Sequence, residues 1–207
     1  MKPTWPSERA KAYVDAVVAI AMTLLILPLM ESIGDAAAEN VTAAEWFAEH
    51  GQQLISFVLS FAVIAMFWIR HHQLFAKVER ISNALLWITV GWMLTVVWLP
   101  VATAMTGQME SDPVSESNYI GTMAAAALLL LVTRVHLRRH SDLHEITPDA
   151  LRRGIFVDFT MTLLFLCALL VAIVLPSVSY FALFLLMLVA PITRALLRLP
   201  ILRSAEG

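Results

Sequence analysis

Six apolar runs constrain this chain more than anything else in it. They cover residues 10–30, 52–71, 84–105, 119–135, 155–175 and 178–197. Each is close to the roughly 17–25 residues that a helix needs to cross a hydrocarbon core about 30 Å thick. Lipid offers no partners to backbone N–H and C=O groups, and the runs lack the two-residue alternation of barrel strands, so helices are expected. With 59% hydrophobic and 14% charged residues, the chain has too little polar surface for a soluble domain. The expected fold is an all-α integral membrane protein, with residues 1–207 forming a single domain of six transmembrane helices joined by short loops. No internal repeat is visible. The basic N-terminus leads into a long apolar stretch without a small-residue cleavage site, so a removed signal is not expected.

Charge gives the orientation. With the N-terminus in the cytoplasm, Lys2, Arg9 and Lys11 lie inside, as do Arg70, Lys77 and Arg80, then Arg134, Arg138, Arg139, Arg152 and Arg153, then Arg194, Arg198 and Arg203. All fourteen basic residues then share one side. Glu31, Asp35, Glu39, Glu45, Glu49, Glu110, Asp112 and Glu116 fall on the other. This is the positive-inside pattern, and it puts both termini in the cytoplasm. Segment 35–50, with Trp46 and Phe47 among small and acidic residues, reads equally as a short interfacial helix or as a solvated loop.

Within the apolar runs a charge costs about 2.5–3.5 kcal/mol by insertion scales, so each one asks for a reason. Asp15 is the clearest case. It lies near the inner end of the first run, a turn and a half beyond Arg9. It fits either a packing carboxylate that ties helices together or a group that meets ions. The second run ends in Trp68, Arg70, His71 and His72. His71 is at the depth to hydrogen-bond Asp15 if the first two helices are antiparallel, and Asn83 is at the depth to join them. His72 reads as an ordinary interfacial histidine. Asp158 follows Arg152 and Arg153, and an ion pair with one of them is expected.

His136, His140 and His144 recur every four residues, which invites a metal reading. Arg134, Arg138 and Arg139 are interleaved with them and no cysteine or intramembrane carboxylate joins them, so a solvated basic helix end is favoured. Such an end suits anionic lipid headgroups. The single cysteine, Cys167, excludes a disulfide framework. No nucleophile–base set, Gly-rich phosphate loop or HExxH-type motif appears, so no enzyme is expected. No bound cofactor or nucleic-acid partner is expected either.

Beyond Asp15, residues Ile20, Thr23 and Leu27 stand at i, i+3 and i+7, one stripe along about 10 Å of helix. Spacing alone allows two readings. The stripe packs against a neighbouring helix, or several copies of it surround an axis as a pore with aliphatic constrictions and a threonine ring.

Arg9-x-x-x-Tyr13-Val14-Asp15, the apolar run up to Pro28, the Trp68-x-x-His71-His72 end of the second run and Asn83 together resemble the transmembrane protein 175 family, the lysosomal potassium channels and their bacterial relatives. The likeness extends to the six-span layout. It implies a potassium channel of modest selectivity without a P-loop, whose first helix lines the pore at the oligomer axis. By distance from the aspartate, the constriction falls on Ile20, Thr23 and Leu27. The family's polar network corresponds to Arg9, Asp15, Trp68, His71 and Asn83. Bacterial members are of this size and resemble homotetramers, which implies a bacterial inner-membrane protein with potassium as the permeant ion and copies of itself and the bilayer as partners. Tyr13 and Val14 stand where the family pattern has Phe and Ser. A proton-coupled carrier using Asp15 and His71 is the main rival, and it would favour spans broken by Gly or Pro at the midplane. Gly91 is the only central glycine of the first three runs.

Overall fold

The computed structural model of the chain describes residues 4–109 and 113–174. Helices α1 (Glu8–Leu24) and α2 (Leu27–Ala38) follow one another across a short break. The break has a local cause. Pro28 has no N–H to offer the carbonyl of Leu24, and its ring crowds that turn, so the helix interrupts at Leu25–Ile26 and restarts with Pro28 in its first turn. A short helix α3 (Ala43–Glu49) follows, capped by Thr42 in a reciprocal box with Glu45.

Four long helices complete the described bundle: α4 (Gly51–Phe75), α5 (Asn83–Gln108), α6 (Pro113–Arg138) and α7 (Pro148–Val174). Ser82 starts α5 by accepting the N–H of Leu85 at 3.2 Å. Proline opens both α6 and α7, where its missing N–H costs no intrahelical bond.

Five stretches among the described residues are long and apolar enough to cross a membrane, the first being Glu8–Ala38 taken as one. They correspond to the first five expected runs; the sixth, 178–197, lies outside the described residues. Four of the five start earlier and end later than hydropathy suggests, and the fifth starts earlier. Glu31 and Asp35 are inside α2, Glu116 is in the first turn of α6, and α7 begins seven residues before the expected boundary. Backbone hydrogen bonding carries a helix past the edge of its apolar part, which hydropathy does not register.

The core joins all five stretches. Val14 and Val18 of α1, Ile64 and Phe67 of α4, Trp92 and Val96 of α5, Met123 of α6 and Phe165 of α7 are buried in one cluster. Ala124, Ala126 and Ala127 are buried on α6, where small side chains permit close approach of its neighbours.

One end of the bundle carries a structure that the sequence reading did not anticipate. Strand β1 (Thr4–Pro6) pairs antiparallel with β2 (Arg80–Ser82), Trp5 opposite Ile81. The hydroxyl of buried Ser7 donates to the Val78 carbonyl at 2.6 Å. Val78 in turn bridges to His144, the Glu79 N–H donates to Leu143 O at 3.0 Å, and Glu145 N–H donates to Lys77 O at 2.9 Å. A second apolar cluster, including Phe75, Ile81, Leu137 and Leu143, fills the space beneath. The N-terminal segment and the connections after α4 and α6 therefore meet at one end, as the distribution of basic residues requires.

Candidate functional site

Helix α1 has two faces. Val14, Val18, Ala21 and Leu25 are buried against the bundle. Ile20 is 59% exposed and Leu27 50% exposed, and Tyr13 lies seven residues before Ile20 on the same exposed stripe. Thr23 is exposed between Ile20 and Leu27, and its hydroxyl donates to the Ile20 carbonyl at 2.8 Å. With the proton directed to its own helix, the oxygen lone pairs are left for whatever lies outside. The stripe Ile20, Thr23, Leu27 thus does not pack within the protomer. Glu31, one turn beyond Leu27 on α2, continues it with an exposed carboxylate.

Asp15, midway along α1, is held by α4, but not through the expected histidine. The indole Nε1 of Trp68 donates to Asp15 Oδ1 at 2.8 Å. His72 Nδ1 stands 3.8 Å from the same oxygen, with its ring packed against Trp68 at 5.5 Å between centroids. Trp68 and His72 are one turn apart and share a face; His71 is about 100° further round and looks elsewhere. Its ring is 3% exposed and stacked between Phe75 and Trp92, with centroid distances of 4.1 and 4.3 Å. Its Nε2 is buried without a hydrogen-bond partner among the described residues. The expected bond from His71 to Asp15 is therefore replaced by the Trp68 bond and the nearby His72.

The two remaining residues of the expected network, Arg9 and Asn83, are both exposed. Ser82, not Asn83, caps α5, and Asn83 is exposed at the first helical position. Arg9 is exposed, while the neighbouring Lys11 pairs with Glu8 at 2.9 Å.

Asp158 is also partnered differently from expectation. It is 2% exposed and takes Arg70 of α4 on Oδ1 and Arg134 Nε of α6 on Oδ2, the latter at 2.6 Å. Arg152 and Arg153 precede it by six and five residues, which puts them on other sides of α7. The three histidines in and after the last turn of α6 serve the fold. His136 lies 3.3 Å from the Ser82 hydroxyl and stacks on His140, whose Nδ1 lies 2.9 Å from the His136 carbonyl. His144 Nδ1 accepts the Ile146 N–H at 2.9 Å, so the proton sits on Nε2, which donates to the Leu137 carbonyl at 3.0 Å.

Sequence reading also missed a buried hydroxyl cluster that joins three helices. The hydroxyls of Thr103 of α5 and Ser60 of α4 are 2.8 Å apart, and Ser60 lies 2.9 Å from the Tyr119 hydroxyl of α6. Three hydroxyls in three separate apolar runs give no local signal that they converge.

Residues 9–100 match the family model described as endosomal/lysosomal potassium channel TMEM175. Over 150 residues, 70% of each chain, the protein is 31% identical to a potassium channel of Streptomyces collinus. It is 25% identical over 145 residues to the mouse protein named endosomal/lysosomal proton channel TMEM175, of which it spans 29%. The crystal structure of a lysosomal potassium-selective channel TMEM175 homolog from Chamaesiphon minutus has the same fold, with a TM-score of 0.70 at 22% identity over 90% of this chain and 97% of that one. Five apolar helices and these likenesses make the chain a multi-pass membrane protein. It belongs to the TMEM175 family.

Proposed function

We propose that the chain is one protomer of an oligomeric, potassium-conducting channel whose pore is lined by α1 and the first turns of α2. The observation that carries this is the outward orientation of the stripe, with Ile20 59% and Leu27 50% exposed while the opposite face of α1 is buried. An exposed aliphatic stripe alone suits lipid equally well. Thr23 turning its lone pairs outward between the two aliphatic positions, and Glu31 continuing the stripe, favour an ion path. The bacterial relatives named as potassium channels support the choice of ion.

In this reading copies of the chain assemble about an axis parallel to α1, and a homotetramer is the proposed number. Ile20 and Leu27 form two aliphatic constrictions on either side of a ring of Thr23 oxygens. Glu31 at the outer mouth concentrates cations. Potassium sheds its water at lower cost than sodium, so a narrow passage with few oxygen ligands favours it modestly. Asp15 is the anchor of the lining helix rather than an ion ligand, because its Oδ1 is already engaged by Trp68. The chain forms a single domain in the bacterial inner membrane with both termini cytoplasmic, on the charge distribution.

The test is flux through the purified chain in liposomes under potassium, sodium and proton gradients. Potassium flux exceeding sodium flux severalfold is expected; no potassium flux above that of empty vesicles would overturn the reading.

A further inference from the structure

The buried carboxylate of Asp158 lies ten residues inside α7 and is shared between two guanidiniums from two other helices, Arg70 on Oδ1 and Arg134 on Oδ2. The local sequence accommodates the arrangement. Gly154 lies one turn before Asp158 on the same face, and a Cβ there would overlap the Arg134 guanidinium. The missing side chain is what lets Arg134 lie across α7 to its partner. Helices α4 and α7 also meet through Phe67 and Phe165, 6.0 Å between ring centroids.

On α4, Arg70 is two residues from Trp68, about 200° around the helix. The inner half of α4 is therefore held from opposite sides, by Asp15 of α1 through Trp68 and by Asp158 of α7 through Arg70. We propose that Asp158 is a positioning residue for conduction. By drawing Arg70 toward α7 it sets the inner end of α4, and through Trp68 it sets where Asp15 and the exposed face of α1 stand. The inference rests on α1 lining the pore. Neutralising Asp158 leaves two guanidiniums close together without a counter-ion, and their repulsion and loss of partner push Arg70 and α4 away from α7. Removing the charge of Arg70 as well relieves that push.

The experiment is single-channel recording of the full chain in planar bilayers, with thermal unfolding measured on the same preparations. D158N is expected to change open probability at least about fivefold, the lower end of typical coupling between distant groups. Unitary conductance and the potassium-to-sodium permeability ratio are expected to stay as they were, because the lining side chains are untouched. D158N/R70Q is expected to return toward the wild-type open probability. Should D158N fail to fold, G154A displaces Arg134 with every charge retained and is expected to shift open probability in the same direction by less. A purely structural role would lower unfolding temperature and leave the surviving channels unchanged. Open probability within about twofold of wild type for D158N and G154A, or a double variant no better than D158N, would overturn the proposal while the pore reading stood. Absence of wild-type potassium current would instead overturn the pore reading, and this inference with it.

Discussion

Trp68 donates its indole N–H to Asp15 at 2.8 Å across 53 residues of sequence, and this bond ties the middle of α1 to α4. Replacing Trp68 with Phe keeps the aromatic body and removes the donor. Interhelical hydrogen bonds in membranes are worth about 0.6–1.7 kcal/mol, so a loss of roughly 1 kcal/mol is expected in an unfolding measurement in detergent. His72 stands 3.8 Å from the same carboxylate with both partners well exposed, so His72→Ala is expected to cost under about 0.5 kcal/mol. Asp15→Asn keeps an acceptor for the indole and is expected to be milder than Asp15→Leu. Equal losses for Trp68→Phe and His72→Ala would show that the indole is not the anchor.

The hydroxyl cluster gives a second test away from the stripe. Tyr119→Phe removes one hydroxyl from Ser60 and leaves the ring in place, and is expected to cost about 1 kcal/mol. Thr103 retains its bond to the Leu99 carbonyl at 2.8 Å, so Ser60→Ala strands no buried donor there. Neither variant is expected to alter ion selectivity, which flux measurements under potassium and sodium gradients check.

Helix α3, outside the five membrane-length stretches, gives a pH-dependent prediction. Hydrogen bonds from the Thr42 side chain and backbone hold the Glu45 carboxyl below its ordinary value of 4.5. A lowered pKa in the folded state contributes stability that is present above the ordinary value and is lost as pH falls through the lowered one. Hydrogen exchange of α3 amides is therefore expected to speed up as pH is lowered from 5 through and below about 4.5, after correction for intrinsic rates. Thr42→Ala is expected to remove most of that dependence and to speed exchange at neutral pH severalfold. Identical pH profiles for the two proteins would contradict the capping role.

Much of this organisation is legible in the chain, for unequal reasons. The spans are visible because lipid forces every backbone group into a helix, and their apolar length then marks them. Asp15 is visible because a carboxylate in such a run needs a partner. Which partner it takes depends on helix phase: Trp68 and His72 face α1, whereas the neighbouring His71 turns to Trp92. Asp158 misleads for the same reason. Arg152 and Arg153 are near in sequence, but the side chains that reach Asp158 come from 88 and 24 residues away. The strands β1 and β2 are three residues each and pair across more than seventy positions, so no periodicity announces them. The stripe on α1 is visible as a period, but its outward orientation is set by which other face is buried, and only the packed bundle shows that.

The most direct test of the pore is the unitary potassium conductance of Ile20→Ala and Leu27→Ala beside Leu170→Ala, a similarly exposed aliphatic position on α7. The account predicts higher conductance and weaker discrimination against sodium in the first two, because each removes a constriction, and wild-type values in the third. Wild-type conductance and selectivity in both Ile20→Ala and Leu27→Ala would contradict it.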